Sequence, residues 1–277
     1  MLTPTLPRIQ PRKSLGQHFL RDENIARKIV AAVNPRPGDV MVEIGPGQGA
    51  LTRYLAPSVK KLIAIDIDQR IVTQLERFLS GPQVTFLCQD FLRTNLAELA
   101  GGEKLRIVGN IPYNITTPIL FHILDNRRFV WDGTLMVQRE VARRLVAQPN
   151  TKDYGILSVF CQLFTDVALL FDVSPHSFVP SPAVFSSVVK LTILPGPRYI
   201  VRDEEFFRSM IRSVFGKRRK TLRNSLGYFL KERGCTVPSR FFLQQRPEDL
   251  TLAQLVDLSN ALYAELSPLP GTSSSVV

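Results

Sequence analysis

The chain has 277 residues, enough for one large core and a smaller domain beside it and too few for three. Hydrophobic residues make up 44% and charged residues 21%, and no run approaches the ~20 apolar residues of a membrane helix, so no membrane partner is expected. The net charge of +11 favours a polyanionic partner, and the excess is uneven: residues 200–246 carry 12 Lys/Arg against 4 Asp/Glu, and residues 247–277 carry 4 Asp/Glu with no Lys or Arg.

The first twelve residues are proline-rich and lack the apolar core of a signal peptide, so a flexible N-terminus and a cytoplasmic location are expected. Between about 40 and 140, short β-branched runs alternate with helical patterns. The strands are VMVEI (40–44), KLIAID (61–66), VTFLC (84–88), RIVGN (106–110) and TLMVQ (134–138), with helices near 49–56, 69–79, 94–100 and 116–125. Thr116 or Thr117, before Pro118, reads as the N-cap of the last of these. Strands of this kind are buried on both faces, which predicts a parallel sheet flanked by helices, an α/β fold. A helix and two more strands follow, the last within VFSSVVKLTIL (184–194). Residues 203–265 read as all helix. The expected division is a flexible 1–12, a first domain over 13–197, a helical domain over 198–266 and a disordered tail over 267–277.

Cys88, Cys161 and Cys235 lie far apart, as do His18, His122 and His176, so neither a disulfide framework nor a metal site is expected. The cysteines read as small core residues.

Gly45, Gly47 and Gly49 follow the first strand in VEIGPGQGALT, a turn that lets backbone approach a ligand closely. The spacing G-x-G-x-G is not the dinucleotide G-x-G-x-x-G, and Pro46 removes a backbone donor that a pyrophosphate could use. Asp66 ends the second strand, where a carboxylate can accept hydrogens from both ribose hydroxyls; Asp68 is a rival two residues on. Asp90 ends the third strand within reach of an adenine amino group. Each acid could instead cap a helix. One Gly loop with acids after strands two and three describes a nucleoside site, and it fits S-adenosylmethionine better than NAD because no second nucleotide-binding half follows.

Asn110-Ile111-Pro112-Tyr113 ends the fourth strand, at the edge of the sheet where the cofactor lies. An aryl amine is a poor nucleophile because its lone pair is delocalised into the ring. The Asn110 side-chain oxygen and the Ile111 carbonyl can each accept one amine hydrogen, localising that lone pair. Pro112 stiffens the turn, and Tyr113 can stack on a flipped base, worth roughly 1–3 kcal/mol. In the C-terminal region Lys217, Arg218, Arg219, Lys220 and Arg223 read as two turns of a phosphate-gripping helix, with Arg219 and Arg223 sharing a face and Leu222 and Leu226 turned inward. Arg139, Arg143 and Arg144 offer a second basic strip, which a Glu140–Arg144 ion pair would explain equally well.

These blocks, with KSLGQHFL (13–20), GNIPYNITTPIL (109–120), QREVARRLVAQPNTKDYG (138–155), FVPSPAVFSSVVKL (178–191) and KRRKTLRNSLG (217–227), resemble the ribosomal RNA adenine dimethyltransferase family in order along residues 12–263. The resemblance implies a Rossmann-like class I methyltransferase sheet with a small helical domain. It also implies S-adenosylmethionine as cofactor, and N6 dimethylation of two adjacent adenines near the 3′ end of small-subunit (16S) rRNA during assembly. Residue by residue, it implies that Gln17, His18 and Leu20 close over the cofactor and that Gly45, Gly47, Asp66, Asp90 and Asn110 contact it. Asn110 through Tyr113 would form the catalytic turn, and Phe178 would flank the target base from its other face. The partner implied is the pre-30S particle, bound by a monomer. This chain carries Asp66 where Glu is common, His18 where Asn is frequent and Ile111 where Leu is commoner. Competing readings are an adenine methyltransferase of 23S rRNA and an RNA-binding assembly factor with secondary catalysis. An NAD oxidoreductase has no use for the Asn-Ile-Pro-Tyr turn.

Overall fold

A computed structural model describes residues 7–217, 219–231, 233 and 244–266. The expected tail, half of the expected flexible N-terminus (residues 1–6), Cys235 and Arg218 lie outside the described residues. The chain falls into two compact units, one of residues 1–143 with 166–193 and the other of 144–165 with 194–277. The expected boundary at 197 placed 144–165 in the first domain; these residues cluster with the helical unit instead.

The first unit is built on a seven-stranded sheet. Its strands are β2 (Val40–Ile44), β3 (Lys61–Asp66), β4 (Val84–Cys88), β5 (Leu105–Asn110), β6 (Val130–Gln138), β7 (Thr165–Val173) and β9 (Ser186–Ile193), in the order β4-β3-β2-β5-β6-β9-β7. The first five are mutually parallel and β9 runs antiparallel to β6. A separate two-stranded ribbon pairs β1 (Phe19–Leu20) with β8 (Phe178–Val179). The central strands β2 and β5 are apolar along nearly their whole length and wholly or almost wholly buried, as strands covered on both faces must be. The edge strand β4 is only partly covered, so Cys88 at its end is exposed. The expectation of core cysteines holds for Cys161 and is corrected for Cys88, which lies at the end of an edge strand paired with β3 on one side only.

Helices start where short polar side chains can satisfy free N–H groups. Asp22 accepts from Asn24 and Ile25 to start α1 (Glu23–Val33), and Asp68 accepts from Arg70 to start α3 (Gln69–Leu79). Between them, α2 is a short turn of helix (Thr52–Leu55). Further along, α4 (Leu96–Ala100) starts at Asn95, and α5 (Thr116–Asp125) begins one residue earlier than an N-cap at Thr116 would place it. Thr116 Oγ1 instead donates back to the Pro112 carbonyl, tying the helix to the turn before it.

At the N-terminal ends of the strands, the buried Arg106 spends its whole fork. It grips both oxygens of Asp132, at 2.9 and 2.7 Å, and meets Asp39 at 2.6 Å and the carbonyls of Val33 and Asn34. Beside it the ladder skips one residue, and Trp131, 59% exposed, is the bulged one.

The second unit contains α7 (Ile156–Phe164), α8 (Glu204–Gly216), α9 (Leu222–Lys231) and α10 (Leu252–Leu266). Edge-to-face aromatic pairs knit it together: Phe160 with Phe207, Tyr154 with Phe215, and Phe206 with both Phe229 and Tyr263. Helix α6 (Arg139–Val146) runs across the boundary between the two units in sequence.

Replacing Arg106 by Met should destabilise the protein by about 3 kcal/mol, because the half-buried Asp39 loses its cation and the buried Asp132 keeps only Lys190, at 3.5 Å. The urea midpoint should fall accordingly, with Arg106→Lys falling between the two.

Candidate active site

Neighbouring strands depart in opposite directions from β2 and β5, so their C-terminal ends open a crevice at the switch in strand order. The two strands approach very closely there. A Cβ on Gly109 would lie 2.5 Å from the Ile44 carbonyl, so only glycine fits at that position. Above them the loop after β2 turns through Gly45 and Gly47, both with positive φ, and a Cβ on Gly47 would strike the Phe19 ring at 2.9 Å. The loop is therefore sandwiched between the sheet and the N-terminal segment.

That segment lies over the crevice and contributes Gln17, His18 and Leu20 to its lining. It is tied down at four points. Gln17 donates to Asp68 at 3.1 Å, and the His18 ring bonds the Pro180 carbonyl at 2.8 Å. β1 pairs with β8, and Asn110 donates its amide to the His18 carbonyl at 2.8 Å. The last bond fixes the Asn110 side chain by its nitrogen and leaves its oxygen as the free acceptor.

Three carboxyl groups line the crevice, and their environments separate them. Glu43 is buried under the loop and accepts from Thr52 Oγ1 at 2.7 Å; burial pushes it up to about 7. Asp66 is pushed up to about 6, also by burial, despite backbone N–H groups of Asp68, Gly47 and Ile67 that favour its charge. Asp90 caps the turn at 91–93 through Leu92 N–H and still faces the crevice. Asp68 does not line the crevice. It caps α3, is gripped by Arg70 at 2.6 Å and receives Gln17, and the Arg70 hydrogen bond holds it down near 2. Asp68 accepts from Gln17, from the Arg70 side chain and from the Arg70 backbone N–H, all structural contacts, whereas Asp66 lines the crevice.

Ile111 donates its N–H to the Met136 carbonyl at 3.0 Å and Pro112 follows, so the turn after β5 is held from both sides. Tyr113 reaches Ser186 Oγ at 2.6 Å, and its ring stacks on His18 at 5.7 Å between centroids. Burial raises the phenol above its ordinary range, so it stays protonated.

Other expected site residues fall elsewhere. Phe178 is 2% exposed and does not line the crevice: opposite Leu20 in the ribbon, its ring turns into a core cluster with Val173 and Val188, where no base can reach it. Lys217, Arg219, Lys220 and Arg223 are exposed, as phosphate contacts require, but the helix that was to carry them is broken. α8 ends at Gly216, Lys220 N–H closes a turn on the Lys217 carbonyl, and Thr221 restarts α9 by accepting from Ser225. Arg219 therefore sits in the turn and shares no helical face with Arg223. Leu222 and Leu226 are buried, as expected. Arg139 stacks on Phe185 and lies 3.8 Å from Asp172, and Arg143 is exposed. Glu43 was missed, because a lone acid inside an apolar strand gives no sign in sequence that a hydroxyl waits to meet it. Among the described residues no group of three His, Cys, Asp or Glu side chains could hold a metal ion, and no helix is long and apolar enough to cross a membrane.

A model of the family described as ribosomal RNA adenine dimethylase matches residues 8–263. A ribosomal RNA small subunit methyltransferase A from Chlorobium phaeobacteroides (strain BS1) is 46% identical over 262 residues, covering 95% of this chain and 96% of its own length. Among solved structures, a dimethyladenosine transferase from Plasmodium falciparum is similar with a TM-score of 0.73 at 25% identity, covering 90% of this chain and 98% of its own. The 23S rRNA methyltransferase ErmE is similar with a TM-score of 0.63 at 27% identity, covering 86% and 99%.

The raised Glu43 acid makes stability depend on pH. Between 4.5 and about 7 the unfolded chain releases this proton before the folded one does, so Glu43 lowers stability as pH rises through that window. Glu43→Gln should flatten this part of the profile and stabilise the protein at pH 8 by on the order of 1–3 kcal/mol, read by urea unfolding at a series of pH values.

Proposed function

The chain belongs to the ribosomal RNA adenine dimethylase family, and on that premise we propose that the crevice uses S-adenosylmethionine to dimethylate N6 of two adjacent adenines of small-subunit rRNA in the pre-30S particle. The observation that carries the chemistry is the Asn110 amide, fixed through its nitrogen at the end of β5. The identity of 46% to a small-subunit enzyme over nearly the whole chain, against 27% to the 23S methyltransferase, favours the small subunit over the large.

The residues present fit the cofactor. S-adenosylmethionine supplies an electrophilic methyl group on a positively charged sulfur. Asp66 offers a carboxylate oxygen to the ribose hydroxyls, Asp90 accepts from the adenine amino group, and Gly45 and Gly47 let the loop close on the ligand without side chains in between. Gln17, His18 and Leu20 cover it and exclude water.

The target amine is neutral, so no general base is needed before attack. In the first transfer the Asn110 oxygen and the Ile111 carbonyl would each accept one N6 hydrogen, drawing the lone pair out of conjugation and aiming it at the methyl carbon. In the second, the one remaining N6 hydrogen would go to one of these acceptors, and each transfer would release the cofactor as a neutral thioether, positioning doing most of the work. The surplus proton leaves the alkylated nitrogen to solvent. Tyr113 presents its ring to the flipped base and stays neutral, its hydroxyl held by Ser186. Lys217, Arg219, Lys220 and Arg223 on one unit and Arg139 and Arg143 on the other bind phosphates, a salt-dependent contribution.

Incubation of rRNA with isotopically labelled S-adenosylmethionine, followed by mass spectrometry of its adenines, tests the reading. Wild type should yield labelled N6,N6-dimethyladenine. Asn110→Ala should yield none while still binding cofactor, and normal turnover by that variant would refute the role of the amide. Cofactor affinity should fall about tenfold by pH 5, one unit below the Asp66 value of about 6, because the protonated acid loses an acceptor. Calorimetry should find Asp66→Asn weaker at neutral pH and free of this step.

A further inference from the structure

Phe185 is a large aromatic side chain that the core does not use. It is 42% exposed and directly precedes β9, whose first two residues, Ser186 and Ser187, are buried. Its position is fixed by its neighbours. Gln138 pairs with Ser186, and Gln138 lies two residues, roughly 7 Å, beyond Met136, the partner of Asn110 on the parallel strand β6. Phe185 is therefore on the rim of the crevice, beyond the Asn110 turn, and the adjacent Ser186 holds the Tyr113 hydroxyl at 2.6 Å.

The ring has a partner on it before any ligand arrives. Arg139 N–H donates to the Phe185 carbonyl at 3.0 Å, and the Arg139 guanidinium lies 4.8 Å from the ring centroid. Arg139 is steadied by Asp172 at 3.8 Å, and Asp172 in turn accepts from Ser187. Three successive residues thus serve one rim: Phe185 carries the ring, Ser186 orients Tyr113, and Ser187 orients the acid behind Arg139.

An aromatic ring with a cation on it, exposed beside a site that takes an unstacked base, has an evident physical use. Extruding one adenine from its stack strips a neighbouring base of a stacking partner, which costs free energy. A rigid ring at the rim can replace that partner with little loss of side-chain entropy, and the adjacent guanidinium suits the phosphate between the two nucleotides.

We propose that Phe185, with Arg139, forms a second base-stacking subsite that receives the nucleobase next to the target adenine. This rests on the proposed RNA reading and adds a subsite to it. Phe185 does not enter the reaction; it holds the strand so that the extruded adenine meets Asn110.

The test uses the full chain and an RNA stem-loop with two adjacent loop adenines, labelled with a fluorophore for binding by anisotropy. Phe185→Ala should raise Kd about tenfold, Phe185→Tyr should restore it, and Phe185→Leu should restore it only in part. Trp131→Ala, an exposed aromatic at the other end of β6, should leave Kd unchanged. Replacing the nucleotide on each side of the target adenine in turn by an abasic one should weaken wild-type binding about tenfold at one position. The same replacement should have little further effect on Phe185→Ala. The inference is overturned if wild type does not bind the stem-loop, if Kd is unmoved by Phe185→Ala, or if the abasic and Phe185 effects simply multiply. Labelled methyl transfer by wild type reports separately on the reading beneath it, since binding is scored without turnover.

Discussion

The hydrogen bond from the Asn110 amide to the His18 carbonyl joins the two parts of the chain from which the site is made. Asn110 ends a central strand. His18 belongs to an N-terminal segment held in place by Gln17, by the ribbon with β8 and by the Pro180 carbonyl. An amide left unbonded could present either its oxygen or its nitrogen to a ligand; with the nitrogen committed, only the acceptor remains. The same segment presses Phe19 onto Gly47, so the shape of the loop and the polarity of the turn after β5 depend on one folded strap.

Electrostatics divides the carboxyl groups by what surrounds them. Asp68 is paired with a guanidinium and capped by N–H donors, so it is ionised and structural. Among the described residues no such cation pairs with Asp66 or Glu43, and burial raises both. A crevice floored by such acids favours ligand groups that donate hydrogens or carry positive charge, and the proposed cofactor brings both. At the other end of the sheet the same chemistry is used for stability, where Arg106 neutralises two acids with all of its fork.

Asp66 and Asp68 illustrate how local spacing leaves a choice that the fold resolves. Both are acids at the end of β3, Asp66 its last residue and Asp68 two residues beyond. Helix α3 begins immediately after Asp68, so its side chain is taken by the helix terminus, and Asp66 at the strand end is the one left facing the crevice. Phe178 and Phe185 make the complementary case. Seven residues separate them, but the ribbon turns the first into the core, while the second stays at the rim under Arg139.

The sequence by itself determined the parallel strands, the loop glycines, the Asn-Ile-Pro-Tyr turn and the cationic segment, because each is written in local periodicity or in residues with few conformational alternatives. Four of the five strands expected between 40 and 140 start within a residue of their expected positions. The fifth, β6, begins four residues early because Val130 and Asp132 pair with β5 on either side of a bulge at Trp131 that no pattern announces. Only the tertiary structure decided what depends on residues far apart in the chain: the Asn110–His18 bond, the burial that raises Glu43, the loss of Phe178 to the core and the break between α8 and α9. The helical reading held from Leu222 on and failed over 217–221 for a physical reason. A run of cations is compatible with either helix or turn, and the Thr221 cap and the bond from Leu222 to the Gln245 carbonyl settle it through contacts that lie outside the pattern.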